Sequence, residues 1–180
     1  MWTILLGLSI ILAGLALWVA RQPDSFWIER SALIAAAPAR VFAEVNDFQR
    51  WHQWSPWAKR DLAMQVNYSG PAAGVGATYH WVGNRQVGEG RATIVASQPA
   101  QLVRMQLEFL KPFRANNVAE FYFQAEDGGT RVNWSMTGRS NFISKAMGLL
   151  CNMDKMVGAD FEQGLAQLAA IAEAAQGRAV

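Results

Sequence analysis

The sequence has one cysteine, two histidines and no charged residue between Trp2 and Ala20. Each scarcity excludes something. A single cysteine, Cys151, rules out an intrachain disulfide and leaves the redox compartment open. His52 and His80 alone give no HExxH or Cys–His spacing, so no metal site is expected. The G-x-S-x-G nucleophile elbow is missing. Gly70-Pro-Ala-Ala-Gly74-Val-Gly76 lacks the lysine that follows a phosphate loop and reads as a turn. Sixteen basic and fourteen acidic residues are mixed along the chain without a basic stripe, which leaves no footprint for nucleic acid. No cofactor and no catalytic residue is expected from these counts, and an enzyme is the less favoured class.

What is present begins with apolar bulk. Ile4, Leu5, Leu6, Leu8, Ile10, Ile11, Leu12, Leu15, Leu17 and Val19 dominate the uncharged run. As a helix it would extend about 28 Å, near the bilayer's hydrocarbon thickness of about 30 Å. Trp2 and Trp18 fall near its ends, where indoles prefer the lipid–water boundary. A cleaved signal peptide is the rival reading. It lacks support, because no Lys or Arg precedes the run and no small-x-small site precedes Arg21. The expectation is a single-pass transmembrane anchor over residues 1–22 and one folded domain over residues 23–180. Arg21, Arg30 and Arg40 follow the run, so the positive-inside rule places the domain on the cytoplasmic side. That margin rests on Arg21, since Arg30 and Arg40 belong to the folded domain, and the opposite side stays open.

Pro23 ends the linker. Phe26 to Ala35 reads as a first strand, and Pro38 opens a short helix carrying Val41, Phe42 and Val45. Asn46 or Asp47 can cap a second helical turn that carries Trp51. Alternation then marks a meander: Met64–Tyr68, Thr78–Val82, Glu89–Ala96, Val103–Phe109, Ala119–Phe123 and Val132–Met136. Glu126-Asp-Gly-Gly129 is a hairpin turn. Each strand has one apolar face and one polar face, which implies an antiparallel sheet covered on one side. Ile143, Met147, Leu150, Met153, Val157, Phe161, Leu165, Leu168 and Ala172 recur at helical spacing and supply the cover, with a break at Asn152. The fold class is α+β.

That order, together with Ala37-Pro38-Ala-Arg-Val41-Phe42 and Trp51-x-x-Trp54-Ser-Pro-Trp57, resembles the START-like helix-grip superfamily, also called SRPBCC or polyketide cyclase/dehydrase-like. The resemblance covers about residues 25 to 176. It extends to Tyr79-His-Trp81-Val-Gly83-Asn84 with Gly88-Glu-Gly90, Leu107-Glu-Phe-Leu-Lys-Pro112, Gly129-Thr-Arg-Val132-Asn-Trp134 and Asp160-Phe161-x-x-Gly164-Leu165-x-x-Leu168. These motifs are similar to a membrane-tethered bacterial subset. The resemblance implies a curved sheet of about seven strands gripping the C-terminal helix, two short helices after the first strand, and a hydrophobic cavity. Members bind lipids, isoprenoids or polyketides, and some catalyse cyclisation or dehydration.

If Trp81, Met105, Phe123 and Trp134 point inward, alternation sends His80, Glu108 and Glu120 outward. Glu89 and Arg91 flank Gly90 and are placed outside with them. The inward set is Trp54, Trp57, Tyr79, Trp81, Met105, Phe123, Trp134, Met136, Met153 and Val157. Its aromatic and methionine content favours an adaptable apolar pocket, with Tyr79 and the indole nitrogens as its polar contacts. The expected function is a membrane-anchored binding module for a hydrophobic small molecule; a polyketide cyclase or dehydratase in the same cavity is the alternative. A protein partner docking on a sheet edge or on the Trp tract remains open.

Overall fold

The alternating segments all become strands: β1 (Ser25–Ile34), β2 (Gln65–Ser69), β3 (Thr78–Val82), β4 (Glu89–Gln98), β5 (Leu102–Lys111), β6 (Ala115–Glu126) and β7 (Gly129–Arg139). The computed structural model describes residues 2–150 and 152–176. Its strands form one antiparallel sheet in the order β1-β7-β6-β5-β4-β3-β2. The first and last strands of the sequence are therefore neighbours, and β1 and β2 form the two edges.

Helices precede, interrupt and follow the strands. α1 (Trp2–Ala20) precedes the sheet. α2 (Pro38–Asn46), a 3-10 turn (Phe48–Arg50) and α3 (Trp51–Trp54) lie between β1 and β2. Pro38 opens α2, where a missing N–H costs nothing. The Asp47 carboxylate accepts the Gln49 N–H at 2.9 Å and caps the following turn. α4 (Phe142–Leu150) and α5 (Met153–Gln176) follow β7. Asn152 Oδ1 accepts the Lys155 N–H at 2.9 Å, so the break at Asn152 is the cap of a new helix.

Register decides which faces meet. Phe121 pairs with Trp134 and Ala119 with Met136 across β6 and β7, while Val103 and Met105 of β5 pair with Phe121 and Ala119. These side chains share the inner face. Phe161, Leu165, Leu168 and Ala172 of α5 close over it, with Val41 and Val45 of α2 and with Phe48, Trp51 and Trp54. Each such large side chain contributes roughly 1.5–3 kcal/mol by leaving water. The outer face is charged. Glu89 lies 2.7 Å from Lys111, Glu108 lies 3.7 Å from Arg91, and Glu120 pairs with Arg104. The sheet is thus covered on one side only, as the alternation requires.

One expectation is not shown and another needs correction. Among the described residues no helix is long and apolar enough to cross a membrane, so a transmembrane span is not shown. α1 is nonetheless a 19-residue helix without a charged residue, and its leucines and isoleucines from Leu5 to Leu17 stand exposed wherever their side chains are described. Ile143 was expected in the stripe that covers the sheet. It is exposed instead, because the cap at Asn152 starts α5 in its own direction and α4 packs against α1. Lys145 ties the two together: its Nζ donates to the Ala20 carbonyl at 3.2 Å and pairs with Asp24. The side chains of Met147 and Leu150, and all of Cys151, lie outside the described residues.

Candidate hydrophobic site

The Trp tract is stapled to α2 through its own indoles. Trp51 Nε1 donates to the Val45 carbonyl at 2.9 Å and Trp54 Nε1 to the Glu44 carbonyl at 3.2 Å. Both rings are buried and wedge the short helices against the sheet. Their N–H groups are satisfied inside the core.

The centre of the interior is a column of rings. Trp134 stacks between Phe121, with centroids 4.6 Å apart, and Phe161 at 4.1 Å with the planes only 8° apart. Trp54 meets Trp134 edge-on at 5.9 Å and Trp57 does so at 5.8 Å. A second aromatic group lies toward β3: Trp81 stacks on Tyr79 at 5.6 Å and meets Phe109 at 6.0 Å. Gly90 makes room for Trp81, since a Cβ there would overlap the indole. Phe123 lies apart from both groups, edge-on to Phe42 at 5.7 Å. Met105 and Met136 are buried in the same core.

Of the ten residues singled out from sequence, the structure brings Trp54, Trp57 and Trp134 together and sets Tyr79 beside Trp81. Val157 is half-buried against the core, and Met153 at the start of α5 is exposed. None of the ten lines either of two surface hollows. One, of about 220 Å³, lies between Phe48, Tyr68 and Ala77. The other, of about 690 Å³, lies between the β5–β6 turn and the end of β7. Trp54 and Trp134, expected in a pocket wall, are buried at the centre, where Phe121 and Phe161 stack on the two faces of Trp134. Around this centre Trp57, Leu107, Phe109 and Val157 are partly buried against the core, and Met153 and Met156 of α5 are exposed.

Polar groups within this interior are few. Burial pushes the Tyr79 hydroxyl well above the ordinary tyrosine range. Trp134 Nε1 is buried without a hydrogen-bond partner, and so is Asn117 Oδ1. Buried polar atoms are nearly always paired, so an orphan marks a place where a water or a ligand atom fits. Asn117 was missed from sequence. It stands two residues before Ala119 and shares that strand's inward phase, so carrying the alternation one step further would have found it. The side chain is 6% exposed, and its Nδ2 lies 3.7 Å from Met136 Sδ. Its carbonyl end occupies the space that a Cβ on Gly138 would take.

One cation also faces inward. Arg30 of β1 donates to Glu162 Oε1 at 2.8 Å, to both Asp154 carboxylate oxygens at 3.0 and 3.1 Å, and to the Asp154 carbonyl at 3.0 Å. The hydrogen bonds from Arg30 hold the Asp154 carboxyl below the usual range. This clamp pins the first turns of α5 to the sheet edge. Glu89, Glu108 and Glu120 all face out in ion pairs, and the two buried acids are also paired, Asp160 with Arg60 and Glu44 with Arg50. Among the described residues no group of His, Cys, Asp and Glu could hold a metal ion. The arrangement can enclose apolar matter and offer it one or two polar contacts.

Comparison with known proteins fits this architecture. The chain is similar in structure to protein CV1439 from Chromobacterium violaceum, at 16% identity over 84% of this chain and 99% of that one, with a TM-score of 0.60. A protein of unknown function from Staphylococcus aureus, SA2116, aligns at 14% identity over 87% and 98%, with a TM-score of 0.63. The di-domain ARO/CYC StfQ from the steffimycin biosynthetic pathway aligns at 13% identity over 88% of this chain and 54% of that one, with a TM-score of 0.64. These likenesses concern the fold. No curated protein matches the chain in sequence. The profile for polyketide cyclase/dehydrase and lipid transport proteins matches residues 26–173, which span the sheet, the Trp tract and nearly all of α5, and the chain belongs to that family.

Proposed function

We propose that the chain is a binding module for an apolar small molecule of lipid-, isoprenoid- or polyketide-like chemistry, held at a membrane by residues 1–22. The observation that carries this reading is that Trp57, Leu107, Phe109 and Val157 pack against the aromatic core yet stay half-exposed, with Met153 exposed at the start of α5. An apolar ligand laid there loses water on both sides. Burying about 200 Å² of its surface supplies about 5 kcal/mol before the costs of association. Trp54, Tyr79, Trp81, Met105, Phe123, Trp134 and Met136 form the floor, and the methionines adapt its shape. Arg21, directly after α1, favours the cytoplasmic side for the domain.

The family also takes in cyclase and dehydrase chemistry. A cyclase here would need an available ionisable group in the interior; Glu89, Glu108 and Glu120 face out, and the buried Asp160 and Glu44 are held by Arg60 and Arg50, which favours binding. Titration of the purified full chain with cis-parinaric acid tests the reading. Saturable fluorescence enhancement is expected, weakened about tenfold by Val157→Trp at unchanged thermal stability. Non-saturable partitioning, equal in both proteins, would refute it.

A further inference from the structure

We infer that the hollow of about 690 Å³ at the end of the sheet is a phosphate-binding site, and that it takes the headgroup of an anionic lipid. Its walls come from the β5–β6 hairpin end, with Leu110 of β5, Arg114 of the turn and Asn116 of β6, and from Arg139 at the end of β7 with Ser140 just past it. Two exposed guanidiniums therefore line one concavity. Neither is in a side-chain ion pair among the described residues, whereas the one carboxylate in the lining, Glu108, already pairs with Arg91 at 3.7 Å. Guanidinium is suited to phosphate because its planar donors bind two oxygens at once and it stays charged.

The hollow's surroundings favour a lipid as the source of that phosphate. Phe113, next to Arg114, is 57% exposed, and Phe142 and Ile143, just past Ser140, are 54% and 55% exposed. Apolar side chains beside cations on an open rim suit a surface whose headgroups are anionic and whose next layer is hydrocarbon. The rim is also tied to the exit of α1. The Ser140 N–H donates to the Asp24 carbonyl at 2.8 Å. Lys145 bridges Asp24 to the Ala20 carbonyl that ends α1. If α1 lies in lipid, the hollow stands at headgroup depth. This step rests on the membrane placement proposed above, but the two are separable by experiment.

Calorimetric titration of the detergent-solubilised full chain with three soluble probes reads the hollow directly: dihexanoyl phosphatidylglycerol, dihexanoyl phosphatidylcholine and inorganic phosphate. Flotation with phosphatidylcholine vesicles reads the membrane placement by itself. The expected result is about tenfold tighter binding of the glycerol lipid than of the choline lipid. Inorganic phosphate should bind weakly, and Arg114→Gln with Arg139→Gln should abolish the preference while flotation persists. Equal binding of both lipids, or a preference that survives the double substitution, overturns the site. Inorganic phosphate binding as tightly as the glycerol lipid overturns the lipid assignment. Loss of wild-type flotation also overturns the lipid as source, whereas the short-chain titration still reads the two arginines.

Discussion

The guanidinium of Arg30 lies across the backbone of Gly158, in the space where a Cβ would project, and its donors reach Asp154 on the preceding turn and Glu162 on the following one. Gly158 is therefore a glycine because a side chain from the neighbouring strand needs its place. Alanine is about 1 kcal/mol better than glycine inside a helix, so the substitution has two opposed effects. Gly158→Ala is expected to lower the thermal midpoint in the wild-type background, where it displaces the clamp. In an Arg30→Ala background the same change should raise the midpoint by about 2–4 °C. Thermal unfolding of the four proteins checks this, and a rise in both backgrounds would contradict it.

The ring column makes a second expectation. Phe161→Ala removes one face of the Trp134 stack and should cost about 3–5 kcal/mol, since the rigid indoles cannot collapse into the gap. The space left is apolar and ring-sized. Added benzene should recover part of the lost stability in Phe161→Ala and leave the wild type unchanged, as thermal shift would show.

Acid sensitivity follows from four exposed pairs. Hydrogen bonds from Lys145, Lys111, Arg131 and Arg30 hold Asp24, Glu89, Glu126 and Asp154 below their ordinary carboxylate range. A depressed folded-state pKa contributes stability that is complete above the unfolded value, about 4, and is lost as pH falls through the folded value. The unfolding midpoint should therefore hold to about pH 5 and drop below pH 4. Arg30→Gln should make that drop shallower, and an unaltered acid limb would show that the clamp is not part of it.

Asn117 separates stability from binding. An orphaned buried carbonyl costs about 1–3 kcal/mol, so Asn117→Leu should stabilise the domain by about 1 kcal/mol in denaturant unfolding. If its free oxygen is a ligand contact, the same protein binds cis-parinaric acid more weakly. Stabilisation with undiminished binding would remove Asn117 from the site.

Much of the fold could be read from the chain because it depends on period and punctuation. Val103, Met105, Leu107 and Phe109 alternate strictly and form an inward row; Asn152 interrupts a helical stripe and caps a helix. Gly158 and Gly164 stand where alanine would serve a helix better, and they lie against Arg30 and Trp134. Whether Trp54 and Trp134 line a space or fill it could not be read. Alternation fixes which face a ring takes and says nothing of how far the opposite layer stands from it. The same limit hid the direction of α4: Ile143 fits the stripe of α5 in number, yet belongs to a helix that packs elsewhere. The end hollow with Arg114 and Arg139 joins residues from two turns, a meeting that only the sheet register creates.

The claim that an apolar molecule lies against Trp57, Leu107, Phe109 and Val157 is tested most directly by mass spectrometry of what the full chain carries after purification. Wild type and Val157→Trp share the same α1, so lipid held by that helix appears equally in both. About one apolar molecule per chain is expected in the wild type, with a marked loss in Val157→Trp at unchanged folding. Equal carriage by the two proteins, or none in either, would contradict it.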